Sequence, residues 1–397
     1  MKNKEVFTVN EMMIRQLAEQ YGEDIVALRR QLHRCPELGR EEHQTAEIIR
    51  AELDKLGIPW RAVGATGTLA TLEATKEGGS TVVLRSDIDA LPVEEETGVD
   101  FASQIPGMMH ACGHDCHIAM LLGAAKILVA VPERVNTVRF LFQPAEECGA
   151  GALDMIEGGV LDGADTVYGA HIWPDVPRGK IAIPDGPVMA GGDSFVIRVT
   201  GLGGHGSQPE RCRNPIPVVT AITDQIHQIK ALCVRGDEPL AVTVGYIQCG
   251  TAKNVIPDSG ELGGTIRWFS RETRELVMNK ICTIAENCAA LYGVEAEVTF
   301  SPISGSVNNH ADCARQAREA LSALYGDEKV ISRIPVSMSS EDFAFYGEHV
   351  PTVFAWIGCL KDGAAYGLHN PHFDPDESVL PAGSALHACY GLTFRKA

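Results

Sequence analysis

The sequence predicts an α/β protein with a largely parallel sheet, interrupted by an inserted ferredoxin-like α+β domain. Three observations carry this. Through residue 187, short apolar runs that stop in polar loops alternate with segments of helical periodicity. From 188 to 303 the rhythm changes to β-α-β-β-α-β. After residue 304 the α/β character resumes with "HADCARQAREALSALYG" and "PTVFAWIG". The expected division is therefore 1–187 with 304–397, around an insert at 188–303.

The elements follow in order. Residues 14–57 carry apolar side chains at helical spacing and end on Gly57. "STVVLRSDIDALP" contains a short buried strand, Val82–Leu84, running into a polar loop. "HIAMLLGAAKILVAV" puts Ile118, Leu121, Leu122, Ala125, Leu128 and Val129 on one helical face. "TVRFLFQPAEE" is a strand that stops at Pro144, and "TVYGAHIWP" another that ends at His171. The insert reads as strand "DSFVIRVTG", helix "NPIPVVTAITDQIHQIKAL", strands "LAVTVGYIQ" and "ELGGTIRWFS", helix "RETRELVMNKICTIAENCAALYG" and strand "VEAEVTFSPI". Active residues of parallel sheets collect beyond the strand C-termini. Asp87, Glu146, Glu147 and His171 all fall at such ends.

Composition removes several function classes. A net charge of −18 argues against a nucleic-acid surface, which needs a basic stripe. The longest apolar run, "AMLLGAAKILVAV", is broken by Lys126 and too short to span a bilayer, so no membrane association is expected. The N-terminus lacks the apolar core of a secretory signal. Twelve cysteines without a CxxC pair read as reduced thiols of a cytoplasmic protein.

Five of the ten residues in "MMHACGHDCH", 108–117, are Cys or His. Cys112 and His114, in a glycine-marked loop before a helix, suit thiolate and imidazole ligation of a borderline metal. His110, Cys116 and His117 compete with them, and a local four-ligand zinc knot is the alternative. In "QPAEECGAGA", adjacent Glu146 and Glu147 cannot point the same way from extended backbone. One can ligate a metal while the other acts as a base on water, the division that hydrolysis needs. His171 and His369 each stand beside a proline-containing loop. Gly201, Gly203 and Gly206 match the dinucleotide-binding fingerprint, but Pro209, Pro215 and Pro217 follow, so no helix opens at the third glycine. The glycines instead leave His205 on an exposed loop. No G-x-S-x-G elbow occurs, which argues against an α/β serine hydrolase.

These pieces occur in the order of a known family. "RRQLHRCPELGREEHQTA", "LRSDIDALPVEE", "MMHACGHDCH", "QPAEE", "GAHIWP", "GGHGSQP", "GTAKNVIP", "GTIR", "SSEDF" and "LHNPHF" resemble the M20 metallopeptidases, in the branch of hippurate hydrolases, N-acyl-amino-acid deacetylases and auxin-conjugate hydrolases. The resemblance runs from about residue 24 to 392. It implies a zinc-peptidase-like catalytic domain, a lid and dimerisation role for the insert, and hydrolysis of N-acyl amino acids. It assigns two divalent metal ions, zinc or manganese first and nickel or cobalt next, to Cys112, His114, Glu147, His171 and His369, with Cys112 bridging. Glu146 is implied as general base, and His205 as oxyanion stabiliser reaching across a homodimer. Asn254 and Arg267 match substrate-contacting positions. Asp87 and Asp89 match the region just outside the ligands. Cys35, Cys249, Trp268 and Ser339 depart from the common pattern, with Trp268 standing where smaller residues are usual. The alternative implied by the same scaffold is a metallo-aminopeptidase or dipeptidase.

Overall fold

The computed structural model describes residues 2–149 and 151–396. In chain order the elements are α1 (Lys2–Gln20), α2 (Gly22–His33), α3 (His43–Lys55), β1 (Trp60–Val63), β2 (Gly67–Leu72), β3 (Thr81–Asp87), α4 (His114–Ala130), β4 (Thr137–Gln143), α5 (Gly151–Glu157), β5 (Thr166–Trp173), β6 (Ile181–Ala182) and β7 (Gly186–Met189). There follow β8 (Gly191–Thr200), β9 (Gly204–His205), α6 (Ile216–Cys233), β10 (Ala241–Cys249), β11 (Val255–Ile256), β12 (Ser259–Trp268), α7 (Arg271–Tyr292) and β13 (Glu295–Ser304). The chain closes with β14 (Val307–Asn309), α8 (Ala311–Tyr325), β15 (Val330–Ile331), β16 (Thr352–Gly358) and α9 (Leu380–Thr393).

The chain divides into two compact units. The first takes Met1–Val188, Val307–Pro335 and Asp342–Ala397; the second takes Met189–Ser306 with Val336–Glu341. The short segment 336–341 lies in the part that sequence reading gave to the first unit.

In the first unit, eight strands form one sheet in the order β1-β2-β4-β3-β5-β16-β6-β15. Its centre is parallel: β3 pairs with β4 and β5, and β5 with β16. Every residue of β5 and β16 is buried, as expected of parallel strands covered on both faces. Val167, Ile172, Val353 and Phe354 can therefore be apolar on both sides of the pleat.

Two expectations change here. The 14–57 region is not one continuous helical stretch: it is broken between α2 and α3, at 34–42, where Pro36 stands. And α4 is not one-faced. It packs between α2, α9 and β3 and is buried almost all round, with Val129 left 39% exposed. A helix apolar on every side belongs inside a core.

In the second unit, β8, β10, β12 and β13 form an antiparallel sheet in the order β10-β12-β8-β13. With α6 and α7 between them in sequence, this is the ferredoxin-like order. Ser270 opens α7 by accepting a hydrogen bond from the Thr273 N–H at 3.2 Å. Leu262 and Ile266 are fully buried in the helix-covered core and Trp268 packs beside them, while Arg267 alternates to the opposite face. Beyond Gly206 there is only a short 3-10 turn, Pro209–Arg211, and α6 starts at Ile216, so the glycines cradle no helix N-terminus. Among the described residues no helix is long and apolar enough to cross a membrane, and all twelve cysteines are free.

Candidate metal centre

The parallel strands of the first unit deliver the site. β3 ends at Asp87, β4 runs out at Gln143 just before Glu146 and Glu147, and β5 carries His171. The connection from β3 returns at Gly113, which caps α4 with a left-handed φ of +85°. A Cβ at Gly113 would also stand 2.3 Å from Ile172 Cδ1. Conformation and space both require glycine there, and its two neighbours are Cys112 and His114.

The donor atoms converge. Cys112, His114 and His171 place theirs within 4.8 Å of one another, and so do Cys112, Glu147 and His369. His114, Glu146 and Glu147 form a third such group. Cys112 is thus common to two triads, and its Sγ lies 3.4 Å from His171 Nε2. Backbone conformation supports the arrangement. Ala145, immediately before Glu146, has φ +55°, and His369 itself has φ +62°. Such conformations carry strain of order 1–3 kcal/mol and persist only where surroundings impose them. Here Ala145 N–H donates to the buried Glu42 Oε1 at 2.8 Å, and His369 N–H donates to Ala111 O at 2.8 Å.

Hydrogen bonds decide which nitrogens are free to ligate. His171 Nδ1 can only donate to Ile172 O, at 2.6 Å, which leaves the lone pair on Nε2. His114 Nδ1 lies 3.2 Å from Asp89 Oδ1, while its buried Nε2 has no hydrogen-bond partner. His117 shares a donor group with Asp87 and His114, but both its nitrogens are engaged. Nδ1 donates to Asp87 Oδ1 at 2.6 Å, and Nε2 accepts the Ile172 N–H at 3.0 Å. Cys116 is packed into the hydrophobic core. His110 is buried with neither ring nitrogen hydrogen-bonded, and it joins no donor group among the described residues. The local zinc knot therefore finds no support in the geometry.

Charge explains the rest. Asp87 and Asp89 are buried beside the two glutamates. Burial pushes the His114 imidazolium down, but Asp87, Asp89 and Glu147 outweigh it and hold the ring protonated, with a pKa of about 10. Burial, then Glu147, Glu146 and Asp87, push the Cys112 thiol well above its usual range. Burial and the nearby His117 press His171 well below its usual range, so it is a neutral imidazole. Burial opposes ionisation of Glu147, yet His369 and His114 draw its carboxyl below the usual value. One thiol, three imidazoles and a carboxylate converge, with two buried polar atoms, His114 Nε2 and Glu147 Oε1, lacking hydrogen-bond partners. His369 Nε2 lies 3.3 Å from that Glu147 oxygen. This donor set fits divalent cations of borderline softness, which would replace the proton on His114 and draw the thiolate out.

Part of the supporting shell, Asp87 and Asp89, was expected from the resemblance; the Asp115–Arg29–His33 cluster escaped sequence reasoning. Asp89 Oδ2 accepts the Glu147 N–H at 3.0 Å, which ties the carboxylate pair to the β3 loop. Asp115, in the first turn of α4, forms an ion pair with Arg29, whose Nε lies 2.8 Å from Asp115 Oδ2, and lies against His33 Nδ1 at the same distance. Its position inside the Cys/His cluster was the only available signal, since Arg29 and His33 lie on a distant helix.

The second unit carries three further candidates. His205 on β9 pairs with Val255 on β11, and Asn254 O accepts the Gly206 N–H at 3.0 Å. His205 and Asn254 are therefore neighbours on one two-stranded ribbon. Ser207 N–H donates to His205 Nδ1 at 3.2 Å and its hydroxyl lies 2.7 Å away, so in the neutral ring the proton sits on Nε2, on the outer side. Arg267 stands near the end of β12, with Nη1 donating to Ser340 Oγ of the same unit.

The sequence profile of peptidase family M20/M25/M40 matches residues 83–391. An N-acetylcysteine deacetylase of Bacillus subtilis strain 168 is 38% identical over 367 residues, which is 92% of this chain and 95% of the relative. A thermostable carboxypeptidase of Saccharolobus solfataricus is 37% identical over 378 residues, 93% of this chain and 95% of the relative. Among solved structures, a Bacillus subtilis protein described as a dinuclear metal-binding peptidase of the M20 family aligns with a TM-score of 0.84 and 35% identity, over 94% of this chain and 98% of that one.

Proposed function

The chain belongs to peptidase family M20/M25/M40, and from that premise we propose that it is a metal-dependent amidohydrolase acting on N-acyl amino acids, releasing a carboxylic acid and a free amino acid. The observation that carries this is the sharing of Cys112 between two donor triads beside Glu146. The relatives' names agree on the bond: a deacetylated N-acetylcysteine and a carboxypeptidase product both leave as an amino acid with a free α-carboxylate.

In this reading Cys112, His114, Glu147, His171 and His369 hold two divalent cations, zinc or manganese, with nickel or cobalt as substitutes. When bound, the cations supply Lewis acidity that polarises the amide carbonyl and acidifies water. Glu146 accepts the proton of the attacking water on its carboxylate and returns it to the departing nitrogen. The Ala145 turn and the Asp342 N–H, 3.5 Å from Glu146 Oε1, hold that carboxylate in place. His205 donates through Nε2–H to the carbonyl oxygen as negative charge develops there; loss of one such donor typically costs about 3–4 kcal/mol. Asn254, beside His205, contacts the amide, and Arg267 pairs with the α-carboxylate.

His205 acts across a homodimer built through the inserted unit. The exposed Tyr246 and Ile247 on the edge strand β10 support such an interface. The free cysteines agree with a reducing, cytoplasmic setting.

A panel of N-acetyl and N-benzoyl amino acids set against unblocked dipeptides and aminoacyl amides tests the substrate class. Turnover of the blocked amino acids supports the proposal. Preference for substrates with a free α-amine and no α-carboxylate would replace it with the aminopeptidase reading.

A further inference from the structure

β8 opens with Gly191-Gly192-Asp193, and β12 ends with Arg267-Trp268. The antiparallel register sets Gly192 opposite Arg267 and Gly191 opposite Trp268. Directly opposed residues share a face of the sheet. A Cβ on Gly192 would stand 2.6 Å from Arg267 Nη1, and one on Gly191 would stand 2.6 Å from the Trp268 ring. Neither glycine has a positive φ, so backbone conformation does not demand them. They are needed for room, each on its own face.

On the helix-covered face the Trp268 indole lies over Gly191 and donates Nε1–H to Asp193 Oδ2 at 2.7 Å. Asp193 is fully buried and also accepts Nε and Nη2 of Arg274, each at 2.7 Å. The Arg274 guanidinium in turn sits 5.4 Å from the indole centroid. This clamp joins β8, β12 and α7 at the strand position next to Arg267. On the open face the Arg267 guanidinium lies over bare Gly192 and is held by the Ser340 hydroxyl.

We propose that Gly192 is a specificity-determining positioning residue. Its missing side chain lets the Arg267 guanidinium rest against β8 in one pose, presented to the substrate carboxylate, while the Trp268–Asp193–Arg274 clamp keeps the strand pair in register. This deepens the preceding reading and rests on Arg267 being the carboxylate partner. A guanidinium already restrained loses less freedom on binding, and a fixed fork selects planar carboxylates over carboxamides. Trp268 then belongs with the Gly191-Gly192 pair as one packed solution.

Gly192→Ala is the test. The added methyl clashes with the far end of the Arg267 side chain and otherwise meets Ile303 Cβ at an ordinary 3.4 Å, so the guanidinium moves while the strand need not. Steady-state kinetics are measured on an N-acetyl amino acid and on its carboxamide, for the wild type, Gly192→Ala, Arg267→Ala and the double variant. Gly192→Ala should lower kcat/KM on the acid about tenfold or more, chiefly through KM, since small misplacements reach 10²-fold losses. The carboxamide should change less than about twofold, and Gly192→Ala should add nothing in the Arg267→Ala background. Ser340→Ala, which removes the other restraint without adding volume, should show the same selective rise in KM and guards against a folding defect in Gly192→Ala. Equal losses on acid and carboxamide, or full additivity in the double variant, would overturn the proposal. If Arg267→Ala is selective for the acid but Gly192→Ala and Ser340→Ala are not, only the positioning role fails. If Arg267→Ala itself is unselective, the carboxylate reading falls and this inference with it.

Discussion

Asp115→Asn removes one charge from a buried ion pair and changes almost no volume. Asp115 and Arg29 have side-chain exposures of 0% and 1%, with Arg29 Nε 2.8 Å from Asp115 Oδ2 and His33 Nδ1 at the same distance. At an effective dielectric near 20, two unit charges at that separation attract by about 6 kcal/mol, part of which desolvation offsets. Losing one partner of a buried pair typically costs about 3–5 kcal/mol, because the remaining charge is stranded. Glu377 Oε1, 3.2 Å from Arg29 Nη1, keeps partial compensation, which places the expectation near the lower end, about 3 kcal/mol. Urea unfolding of metal-stripped protein reads this directly, as a lower midpoint at unchanged slope. Because Asp115 follows His114 in the first turn of α4, metal affinity should fall as well. A loss below about 1 kcal/mol would refute the view that this pair anchors the metal-binding loop.

Three further outcomes follow from the same geometry. Glu146→Gln should retain bound metal and lose about 10²–10⁴ in rate, whereas Glu147→Gln should lower metal occupancy; elemental analysis showing the reverse would exchange their roles. His33 is pressed down by burial but held above its ordinary value of 6.5 by Asp115 and Glu95. A raised pKa contributes stability fully below 6.5 and loses it as pH rises through the folded value, so His33→Asn should destabilise more at pH 6 than at pH 9. Equal losses at both pH values would deny the charged pair. Co-expressed Glu146→Gln and His205→Ala chains, each nearly inactive alone, should restore about a quarter of wild-type sites if closed dimers exchange His205. Activity no higher than the mutants' mean, with mixed dimers shown by pull-down, would confine His205 to its own chain.

Much of this was legible because it is periodic or punctuated. The insert announces itself by a change from alternating strands and helices to β-α-β-β-α-β, and Glu146, Glu147 and His171 stand where apolar runs stop. What sequence could not supply depends on contacts between distant segments. His117 looks as able to ligate as His114 until Asp87 and the Ile172 N–H are seen to occupy both its nitrogens. Segment 336–341 has no periodicity of its own, so nothing in its sequence marks it for the second unit. Ala145 and His369 adopt left-handed backbone that non-glycine residues seldom take; tertiary hydrogen bonds to Glu42 and Ala111 support it. The single apolar face read for α4 understated its burial, because α2 and α9 cover the helix on other sides as well, which only the fold shows.

On the proposed reading, the converging thiol, imidazoles and carboxylates make this chain a metal-dependent hydrolase of N-acyl amino acids. The most direct measurement strips the purified protein exhaustively with chelator, titrates zinc or manganese back, and follows metal content and N-acetyl amino acid hydrolysis in the same samples. Activity should vanish with the metal and return in proportion to occupancy of the Cys112 site. Full turnover by protein shown to be metal-free would contradict the account.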